Sequence, residues 1–373
     1  MQKLAIGCGG TGGHFFPGLS LARELQARGG EALLLLSGVN GKSQAETARR
    51  CGVRAVELPL MPSPSGGVGN VFRFLRGLCS GFVKARRELK KFAPDAVVGM
   101  GSFASSPVIA AAWRLGVAIY LHDGNVRIGR ANRMLSRLAR RVLGAFSPVN
   151  VETLHAPFEL AGMPMRPELL AFDGSRSAAA ALLKEKYGWD ISADKPTILV
   201  MGGSQGARAI NVAVAAAAAE LRKSGNDFQL IHLAGTRLAQ ETGQLYSTLN
   251  CEVFMLPSSS DMAWIYSCSD AVICRSGGST VAELTTFGKY GVLCPYPYAA
   301  ELHQNDNAAT MVSSGAAEMI LNSELSVPAV RDILSRLLGD IAEYRRRGGK
   351  GKTDLHRRAS GTIIDRISTD LAK

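Results

Sequence analysis

The chain has 373 residues, a net charge of +12 and a hydrophobic fraction of 46%. This length exceeds one typical core and predicts two domains, and no run reaches the roughly 18 apolar residues that a membrane-spanning helix needs. Seven scattered cysteines without a CxxC pair favour reduced thiols in a cytoplasm over a disulfide framework or a zinc site.

The first half of the chain alternates apolar runs with amphipathic stretches. It opens on KLAIG, which runs into a glycine loop too early for a signal peptide, and continues into the amphipathic pattern FPGLSLARELQARGG. The later runs EALLLLSG, DAVVGMG and AIYLHDG predict strands, and SSPVIAAAWRLG predicts a helix. Such alternation is typical of a parallel sheet with helices on both faces. Prolines concentrate near 147–170, so we expect the first domain to cover 1–165.

The second half repeats this plan from PTILVMGGSQGARAINVAVAAAAAELRKSG onward. We therefore predict an α/β fold of two Rossmann-like domains whose parallel sheets face an interdomain cleft. The second domain is expected at 166–340, and a helical tail at 341–373 is expected to pack back on the first domain. Ligands of such sheets bind at the carboxyl ends of the strands, which makes the cleft the expected site.

The basic charge is concentrated in the first half. Seven basic residues and only Glu88 lie between Arg73 and Lys91, and six arginines without an acid lie between Arg127 and Arg141. This surplus predicts an anionic partner such as a phosphorylated substrate, an anionic lipid surface or nucleic acid.

The first glycine loop ends at His14. Its spacing differs from GxGxxG and no acidic residue follows the next strand, so a dinucleotide site is disfavoured. His14 is either an ordinary residue at a helix start or a base, because a neutral imidazole beside bare backbone could accept a proton from a sugar hydroxyl.

Two other strand ends of the first half carry polar residues. In GMGSFASSP, Ser105, Ser106 and Pro107 suit the N-terminus of a helix whose exposed amides would bind a phosphate, and ordinary capping is the alternative. Asn125 and Asn132 are seven residues apart and share a face if their segment is helical. The arginines around them suit a phosphorylated substrate or simply a solvated basic helix.

In the second half, two glycine loops suit a nucleotide. Ser204 lies in GGSQGARAIN before a helix, where an anion site is favoured over plain turn geometry. In CRSGGSTVAEL, the turn after Arg275 and the helix that starts at Thr280 offer amides, a dipole and a hydroxyl to a diphosphate. Glu283, one turn into that helix, suits a ribose diol.

Further along, His303, Gln304 and Asn307 are predicted in a polar loop before a helix, which suits a sugar or a capped helix start. No Walker loop, HExxH site or serine triad is present, and no acidic pair suits metal ligation. We therefore expect a nucleotide-sugar site that needs no divalent metal or other cofactor.

The order and spacing of seven motifs resemble the MurG family over about residues 3–330. These motifs are GGTGGHFFPGLSLARELQ, GMGSFASSP, LHDGNVRIGRANR, GMPMR, GGSQGARAIN, CRSGGSTVAEL and HQNDNA. The family is the UDP-N-acetylglucosamine transferase that acts on undecaprenyl-diphospho-muramoylpentapeptide. The resemblance implies a GT-B fold, with the nucleotide sugar held by the second domain and the lipid-linked acceptor by the first. It also implies that the protein acts at the cytoplasmic face of the inner membrane, on an anionic lipid surface.

The resemblance implies a role for each matching residue. His14 matches the proposed general base. The positions that match the family's UDP-GlcNAc contacts are Thr11, Gly12, Gly13, Asn125, Arg166, Ser204, Arg275, Ser276, Thr280, Glu283, His303 and Gln304. The acceptor and diphosphate loop is matched by Gly101, Ser102, Ser105 and Asn132.

Three positions depart from the family pattern. The chain has Asp-Gly-Asn at 123–125 where Glu-Gln-Asn is common, Gly-Ser-Phe at 101–103 where Gly-Gly-Tyr is frequent, and Leu302 where a charged residue is usual. The departures bear on acceptor or sugar contacts rather than on the reaction.

One basic segment resembles the family's membrane contact. In NVFRFLRGLCSGFVKARRELKKF, basic residues interleave with apolar ones, namely Phe72, Phe74, Leu75, Leu78, Phe82 and Val83. An ordinary amphipathic core helix is the alternative.

The reaction implied is the inverting transfer of GlcNAc from UDP-GlcNAc to the muramoyl 4-hydroxyl of the lipid-linked acceptor, lipid I. Alternatives are a related GT-B transferase with another nucleotide sugar or lipid acceptor, and a UDP-GlcNAc 2-epimerase, which should show acidic cleft residues that are not seen. A nucleic-acid binder explains the charge but not the paired glycine loops, so no nucleic acid is expected as partner.

Overall fold

The computed structural model describes residues 1–60 and 68–373, and the side chains of all of these except 68–72 and 300. The chain divides into two compact units: unit 1 is Met1–Arg166 with Leu355–Lys373, and unit 2 is Pro167–Asp354. Arg166 thus lies in unit 1, one residue beyond the expected domain end, and the expected tail is shared by both units.

Within the described part of unit 1, seven parallel strands form a sheet in the order β3-β2-β1-β4-β5-β6-β7. The strands are β1 Lys3–Cys8, β2 Glu31–Leu36, β3 Arg54–Glu57, β4 Ala96–Gly99, β5 Ala118–Asp123, β6 Arg141–Gly144 and β7 Phe158–Leu160. The helices between them are α1 Gly12–Ala27, α2 Gly41–Arg50, α3 Val68–Phe92, α4 Ser106–Arg114 and α5 Arg130–Leu135.

Unit 2, whose backbone is described throughout, has six parallel strands in the order β10-β9-β8-β11-β12-β13. These are β8 Thr197–Met201, β9 Gln229–Leu233, β10 Phe254–Leu256, β11 Ala271–Cys274, β12 Tyr290–Leu293 and β13 Ala317–Met319. The helices are α6 Pro167–Leu170, α7 Arg176–Tyr187, α8 Arg208–Lys223, α9 Ala239–Thr248, α10 Met262–Cys268, α11 Gly278–Phe287, α12 His303–Ser313, α13 Val327–Gly339 and α14 Ile341–Lys350. The predicted α/β architecture of two Rossmann-like domains is confirmed.

The apolar runs form central strands because both faces of each sheet are covered by helices. Successive residues of β2 point to opposite faces: Leu34 and Leu36 join the core beneath α1, and Leu33 and Leu35 join the core beneath α3 and α4. All four are fully buried. Because both faces of β2 are buried, its sequence is a continuous apolar run rather than an alternation of apolar and polar residues.

The C-terminal residues 341–373 are divided between the two units. Helix α14 stays in unit 2, where Tyr344 packs edge-on against Tyr290 with ring centroids 4.8 Å apart. The last helix, α15 Leu355–Leu371, belongs to unit 1 and buries Ile363 and Ile367 in the core beneath α1. The predicted tail is thus divided: α15 is part of unit 1, where its apolar face is buried, and α14 is part of unit 2.

Among the described helices, none is long and apolar enough to cross a membrane.

Candidate functional site

In unit 1 the turn from β1 into α1 is shaped by backbone packing. Gly9 has φ +125°, and a Cβ there would lie 2.3 Å from the carbonyl oxygen of Ser37. The carboxamide of Asn40 donates to the Gly10 carbonyl at 2.8 Å. Helix α1 then begins at Gly12, and the amides of His14 and Phe15 donate to the carbonyl of its N-cap, Thr11, at 3.3 and 3.2 Å. The amides of Gly12 and Gly13 have no carbonyl within the helix to donate to. The loop therefore offers the donors that an anion requires.

His14 lies in the first turn of α1. Its Nδ1 is 3.0 Å from the hydroxyl oxygen of Thr11. The edge of the ring that carries Nε2 faces Gly101, where a Cβ would lie 3.3 Å from His14 Cδ2 and 3.5 Å from Nε2. When Nδ1–H donates to Thr11, Nε2 keeps the lone pair that a base needs. Gly101 has φ +82°, so both its conformation and the imidazole favour glycine.

The segment after β4 is held by its own hydroxyls. Ser102 has φ +57°, and its Oγ accepts from the amide of Ala104 at 3.2 Å. The hydroxyl of Ser105, which is fully buried, donates to the Ser102 carbonyl at 2.9 Å. Both side chains therefore build the turn before α4. Any anion that binds this turn would therefore meet the backbone N–H groups at the start of α4 rather than these two hydroxyls.

The predicted face shared by Asn125 and Asn132 does not form through a helix, because α5 begins only at Arg130. Both residues instead converge on Asp123, which accepts from the amide of Asn125 at 3.0 Å and from the Asn132 carboxamide at 2.9 Å. Asn132 is 1% exposed and also donates to the His122 carbonyl. Its role in the structure is to hold this loop from inside.

Asp123 is the centre of that loop. It is 4% exposed and also accepts from the Gly129 amide at 2.9 Å. Burial raises the pKa of its carboxyl, and the N–H donors of Gly129, Asn132 and Asn125 oppose that rise. At neighbouring Gly124, a Cβ would lie 2.9 Å from the methyl of Met163. The glycine that departs from the family pattern thus makes room for Met163.

Arg166 approaches the same end of α1. Its guanidinium lies 5.1 Å from the centre of the Phe16 ring, a cation–π contact two residues beyond His14. Unit 1 therefore groups Thr11, His14, Gly101 and Arg166 at the carboxyl ends of β1 and β4.

In unit 2, Ser204 lies on an exposed loop that precedes α8 by four residues. The Ser204 carbonyl accepts from both the amide and the hydroxyl of Thr236, each at 3.1 Å. Gly206, at φ +85°, packs so closely that a Cβ would lie 2.3 Å from the Ala234 carbonyl oxygen. The β9–α9 turn thus supports this loop.

Arg275 follows β11 and points into the structure. Its Nη1 donates to the carbonyls of Cys294 and Pro295 at 3.0 Å, and its Nη2 donates to Asn322 Oδ1 at 2.9 Å. Burial lowers the pKa of this guanidinium. Two of its five N–H groups therefore anchor the segment after β12, and a third anchors the segment after β13.

Ser276 joins two predicted binding segments. Its hydroxyl is buried and donates to the Gln304 carbonyl at 2.8 Å, and the Ser276 carbonyl accepts from Asn307 at 3.0 Å. Gln304 Oε1 accepts from the Tyr296 amide at 2.9 Å, which leaves its Nε2 to donate to a ligand. The prediction that His303, Gln304 and Asn307 lie in a polar loop before a helix is wrong, because α12 begins at His303 and includes all three residues in its first turns.

Helix α11 begins beside this contact, with Gly277 as its N-cap and Thr280 in the first turn. Glu283 follows at the spacing that puts it one turn further on the same side. Its Oε2 accepts from the hydroxyl of Tyr266 at 2.8 Å. Tyr266 is fully buried on α10 and stacks on Phe287 with centroids 4.9 Å apart. Sequence reasoning missed Tyr266, since no spacing signal links it to Glu283.

Within the described residues, no group of three or more His, Cys, Asp or Glu side chains is placed to hold a metal ion.

Comparison with known proteins matches both units. Residues 4–144 match the glycosyltransferase family 28 N-terminal domain, and residues 197–357 match the C-terminal domain. Two curated relatives carry the name UDP-N-acetylglucosamine–N-acetylmuramyl-(pentapeptide) pyrophosphoryl-undecaprenol N-acetylglucosamine transferase. The one from Pelobacter propionicus is 32% identical over 99% of each chain, and the one from Thermodesulfovibrio yellowstonii is 35% identical over 90% of each.

The solved structure of Acinetobacter baumannii MurG matches 99% of this chain and 100% of its own with a TM-score of 0.75 and 26% identity. Sequence similarity along the whole chain and similarity of fold therefore agree, and the motif resemblance is confirmed. The chain belongs to the MurG family of the family 28 glycosyltransferases.

Proposed function

We propose that the protein transfers GlcNAc from UDP-GlcNAc to the muramoyl 4-hydroxyl of undecaprenyl-diphospho-MurNAc-pentapeptide, which converts lipid I to lipid II in peptidoglycan synthesis. The observation that carries this proposal is the end-to-end match to relatives named for that transfer. The geometry supports it, because each unit gathers anion-binding amides and polar side chains at the carboxyl ends of its strands.

In the proposed reaction, the acceptor oxygen attacks the anomeric carbon and the bond from that carbon to the diphosphate oxygen breaks. The electron pair of the broken bond leaves with UDP, and the configuration inverts from α to β. His14 Nε2 takes the proton of the attacking hydroxyl, with Nδ1–H held by Thr11. Such a base contributes typically about 10²–10⁴-fold to the rate.

The donor contacts proposed in unit 2 fall into two groups. The N-terminus of α11, with Thr280, and the Ser204 loop stabilise the charge that builds on the diphosphate. Glu283, held by Tyr266, binds the ribose hydroxyls. Gln304 and His303, at the start of α12, bind the hydroxyls of the donor sugar.

Arg275 and Ser276 are proposed to act through these neighbours, since their polar groups already hold the surrounding backbone. No step calls for a metal or another cofactor.

The donor contacts proposed in unit 1 are Thr11, Gly12, Gly13, Asn125 and Arg166, and the turn before α4, with Gly101, Ser102 and Ser105, receives the acceptor diphosphate. Asn132 supports this acceptor site through Asp123. These assignments rest on the family pattern and on the grouping of the residues at one sheet edge.

We also propose that unit 1 meets an anionic membrane surface through α3. The inner side of α3 packs on α4 through small residues such as Gly81, where a Cβ would lie 3.2 Å from Pro107. The outer side exposes Leu75 (50%) and Val83 (65%). Exposed basic residues flank them, namely Arg73, Arg76, Lys84, Arg87, Lys90 and Lys91. Phe72 lies outside the described side chains.

Unit 1 has further exposed apolar and basic groups. Phe103 packs edge-on against Phe74 with centroids 6.3 Å apart, and Trp113 on α4 is 60% exposed. An open pocket of about 330 Å³ is lined by Arg130, Arg133, Met134, Arg137, Thr153 and His155. Apolar side chains among clustered arginines suit anionic lipid headgroups. We therefore propose that the protein works at the inner face of the cell membrane.

The test incubates the protein with labelled UDP-GlcNAc and a lipid I analogue. Transfer of label to the lipid, absent when UDP-galactose replaces the donor, supports the proposal. Transfer from UDP-galactose instead would identify a related transferase, and conversion of UDP-GlcNAc without acceptor would identify an epimerase.

A further inference from the structure

Residues 161–165 form a buried segment without helix or strand that ends at Arg166. Each buried peptide group of such a segment needs a hydrogen-bond partner from elsewhere. The amide of Gly162 donates to the carbonyl of Gly144 at 3.0 Å. The following peptide, which joins Gly162 to Met163, takes its partners from two histidines.

His122 at the end of β5 donates from Nε2 to the Gly162 carbonyl at 2.9 Å. The amide of Met163 donates to Nδ1 of His356 on α15 at 3.0 Å. Because the C=O and N–H of a trans peptide point in opposite directions, one imidazole lies on each side of the peptide. Each bond fixes the tautomer of its histidine, since a carbonyl only accepts and an amide only donates.

The two histidines are rigid parts of unit 1. His122 is 1% and His356 2% exposed, and burial lowers the pKa of each to about 4, so both rings are neutral. His356 is also packed edge-on against Phe146 with centroids 5.3 Å apart. The start of α15 touches the segment directly, because a Cβ on Gly162 would lie 2.6 Å from the Leu355 carbonyl oxygen.

The Gly162–Met163 peptide, which the two histidines hold, fixes the direction in which the backbone continues to Arg166. Met163 packs its methyl against Gly124, and three residues later the guanidinium of Arg166 reaches the face of Phe16. A rotation of the Gly162–Met163 peptide would redirect both side chains, because only two residues lie between Met163 and Arg166.

We propose that His356 is a positioning residue for Arg166: the C-terminal helix holds the Gly162–Met163 peptide so that Arg166 stays over Phe16, ready to bind the diphosphate of UDP-GlcNAc. This inference rests on the proposed function, which assigns Arg166 to the donor. It gives α15 a part in substrate binding in addition to its part in the core of unit 1.

The experiment measures the dissociation constant of UDP by calorimetry on the full chain. His356→Leu removes the acceptor, leaves the buried Met163 amide unsatisfied, and is expected to weaken UDP binding about tenfold. His356→Asn places a carboxamide oxygen where Nδ1 was and is expected to restore affinity to within about threefold of wild type. If His356→Leu does not fold, His356→Gln, whose carboxamide reaches one bond further, replaces it in the comparison.

Asp370→Ala is the matched control, since it removes an ion pair of α15 with Arg141 far along the helix from the peptide. It is expected to lower the melting temperature and leave the dissociation constant of UDP unchanged. If His356→Leu and Asp370→Ala both weaken UDP binding in proportion to the drop in their melting temperatures, the inference is overturned.

Arg166→Ala separates the inference from the proposed function. If Arg166→Ala weakens UDP binding and His356→Leu adds nothing in that background, the inference is supported. If Arg166→Ala weakens binding but His356→Leu binds UDP as wild type does, or weakens it equally in both backgrounds, only the inference fails. If Arg166→Ala leaves UDP binding unchanged, the assignment of Arg166 fails and the inference falls with it.

Discussion

The hydroxyl oxygen of Thr11 lies 3.0 Å from Nδ1 of His14, and the opposite edge of the imidazole faces Gly101. This pair has the arrangement of a base and the group that orients it. We expect His14→Ala to lower kcat about 10²- to 10⁴-fold while the dissociation constant of UDP changes little. Steady-state kinetics with a lipid I analogue, together with UDP calorimetry, measure both quantities.

Thr11 provides the matched comparison for His14. Thr11→Ser keeps the hydroxyl and should retain most of the activity, whereas Thr11→Val should lower kcat by removing the partner of Nδ1. An equal loss of kcat and UDP affinity in His14→Ala would assign His14 to binding instead.

Glu283 and Tyr266 form the second pair, joined by a 2.8 Å hydrogen bond. Hydrogen bonds to a charged group contribute about 1.5–3 kcal/mol, so Glu283→Ala should raise KM for UDP-GlcNAc roughly 10- to 100-fold. Tyr266→Phe keeps the stacking on Phe287 but loses the donor, and its KM should rise less. Glu241→Ala, an exposed carboxylate paired with Arg208, serves as the control. An unchanged KM in Glu283→Ala would refute the ribose contact.

Much of the fold could be predicted from the sequence, because central parallel strands are continuous apolar runs. Leu33–Leu36 is such a run. The strands β3, β6, β7 and β13 were not predicted, since each has only three or four residues and includes a charged one, so that none is a continuous apolar run. Periodicity carries little signal over so short a length.

The sheet edge at which the candidate residues lie could be predicted from the sequence, but the contacts of their side chains could not. Glycine loops after apolar strands mark the sheet edge where His14 and Ser204 lie. The sequence held no sign that Asn132 turns inward to Asp123, or that His356 reaches a peptide 193 residues away. Such contacts depend on tertiary packing, which local pattern does not encode.

Two neighbouring glycines of the β1–α1 turn, one crowded and one in open space, test how backbone packing stabilises this turn. Gly9→Ala adds a Cβ 2.3 Å from the Ser37 carbonyl oxygen at φ +125°, so the loop must shift, and we expect a loss of at least about 2 kcal/mol in unfolding free energy. Gly10→Ala has φ +83° with open space around the Cβ and should cost only about 1 kcal/mol. Urea titration measures both variants, and equal losses would contradict the role of the Ser37 contact.

The outer side of α3 predicts binding to anionic vesicles. The protein should sediment with phosphatidylglycerol vesicles and much less with phosphatidylcholine vesicles, and added salt should weaken the binding. Val83→Glu places a charge at a 65% exposed apolar position among basic residues and should weaken binding about tenfold. Val312→Glu on α12 makes the same change in unit 2 and should have little effect. Equal binding to both lipids would contradict the membrane proposal.

Three buried histidines predict a loss of stability in mild acid. Burial lowers the pKa of His122 and His356 to about 4 and that of His232 to about 3, below the ordinary value of 6.5. Between those values the unfolded chain binds protons that the folded chain does not, so stability is complete above pH 6.5 and falls as the pH drops toward 4. Each histidine should remove about 2 kcal/mol between pH 7.5 and pH 5.

Urea titrations at pH 7.5, 6.5, 5.5 and 5.0 measure this loss above the range in which most carboxylates titrate. His356→Asn removes one titrating group while keeping an acceptor for the Met163 amide, so its stability should fall less steeply with pH than that of the wild type. If the stability of His356→Asn falls with the same slope as that of the wild type, His356 is not held neutral by burial.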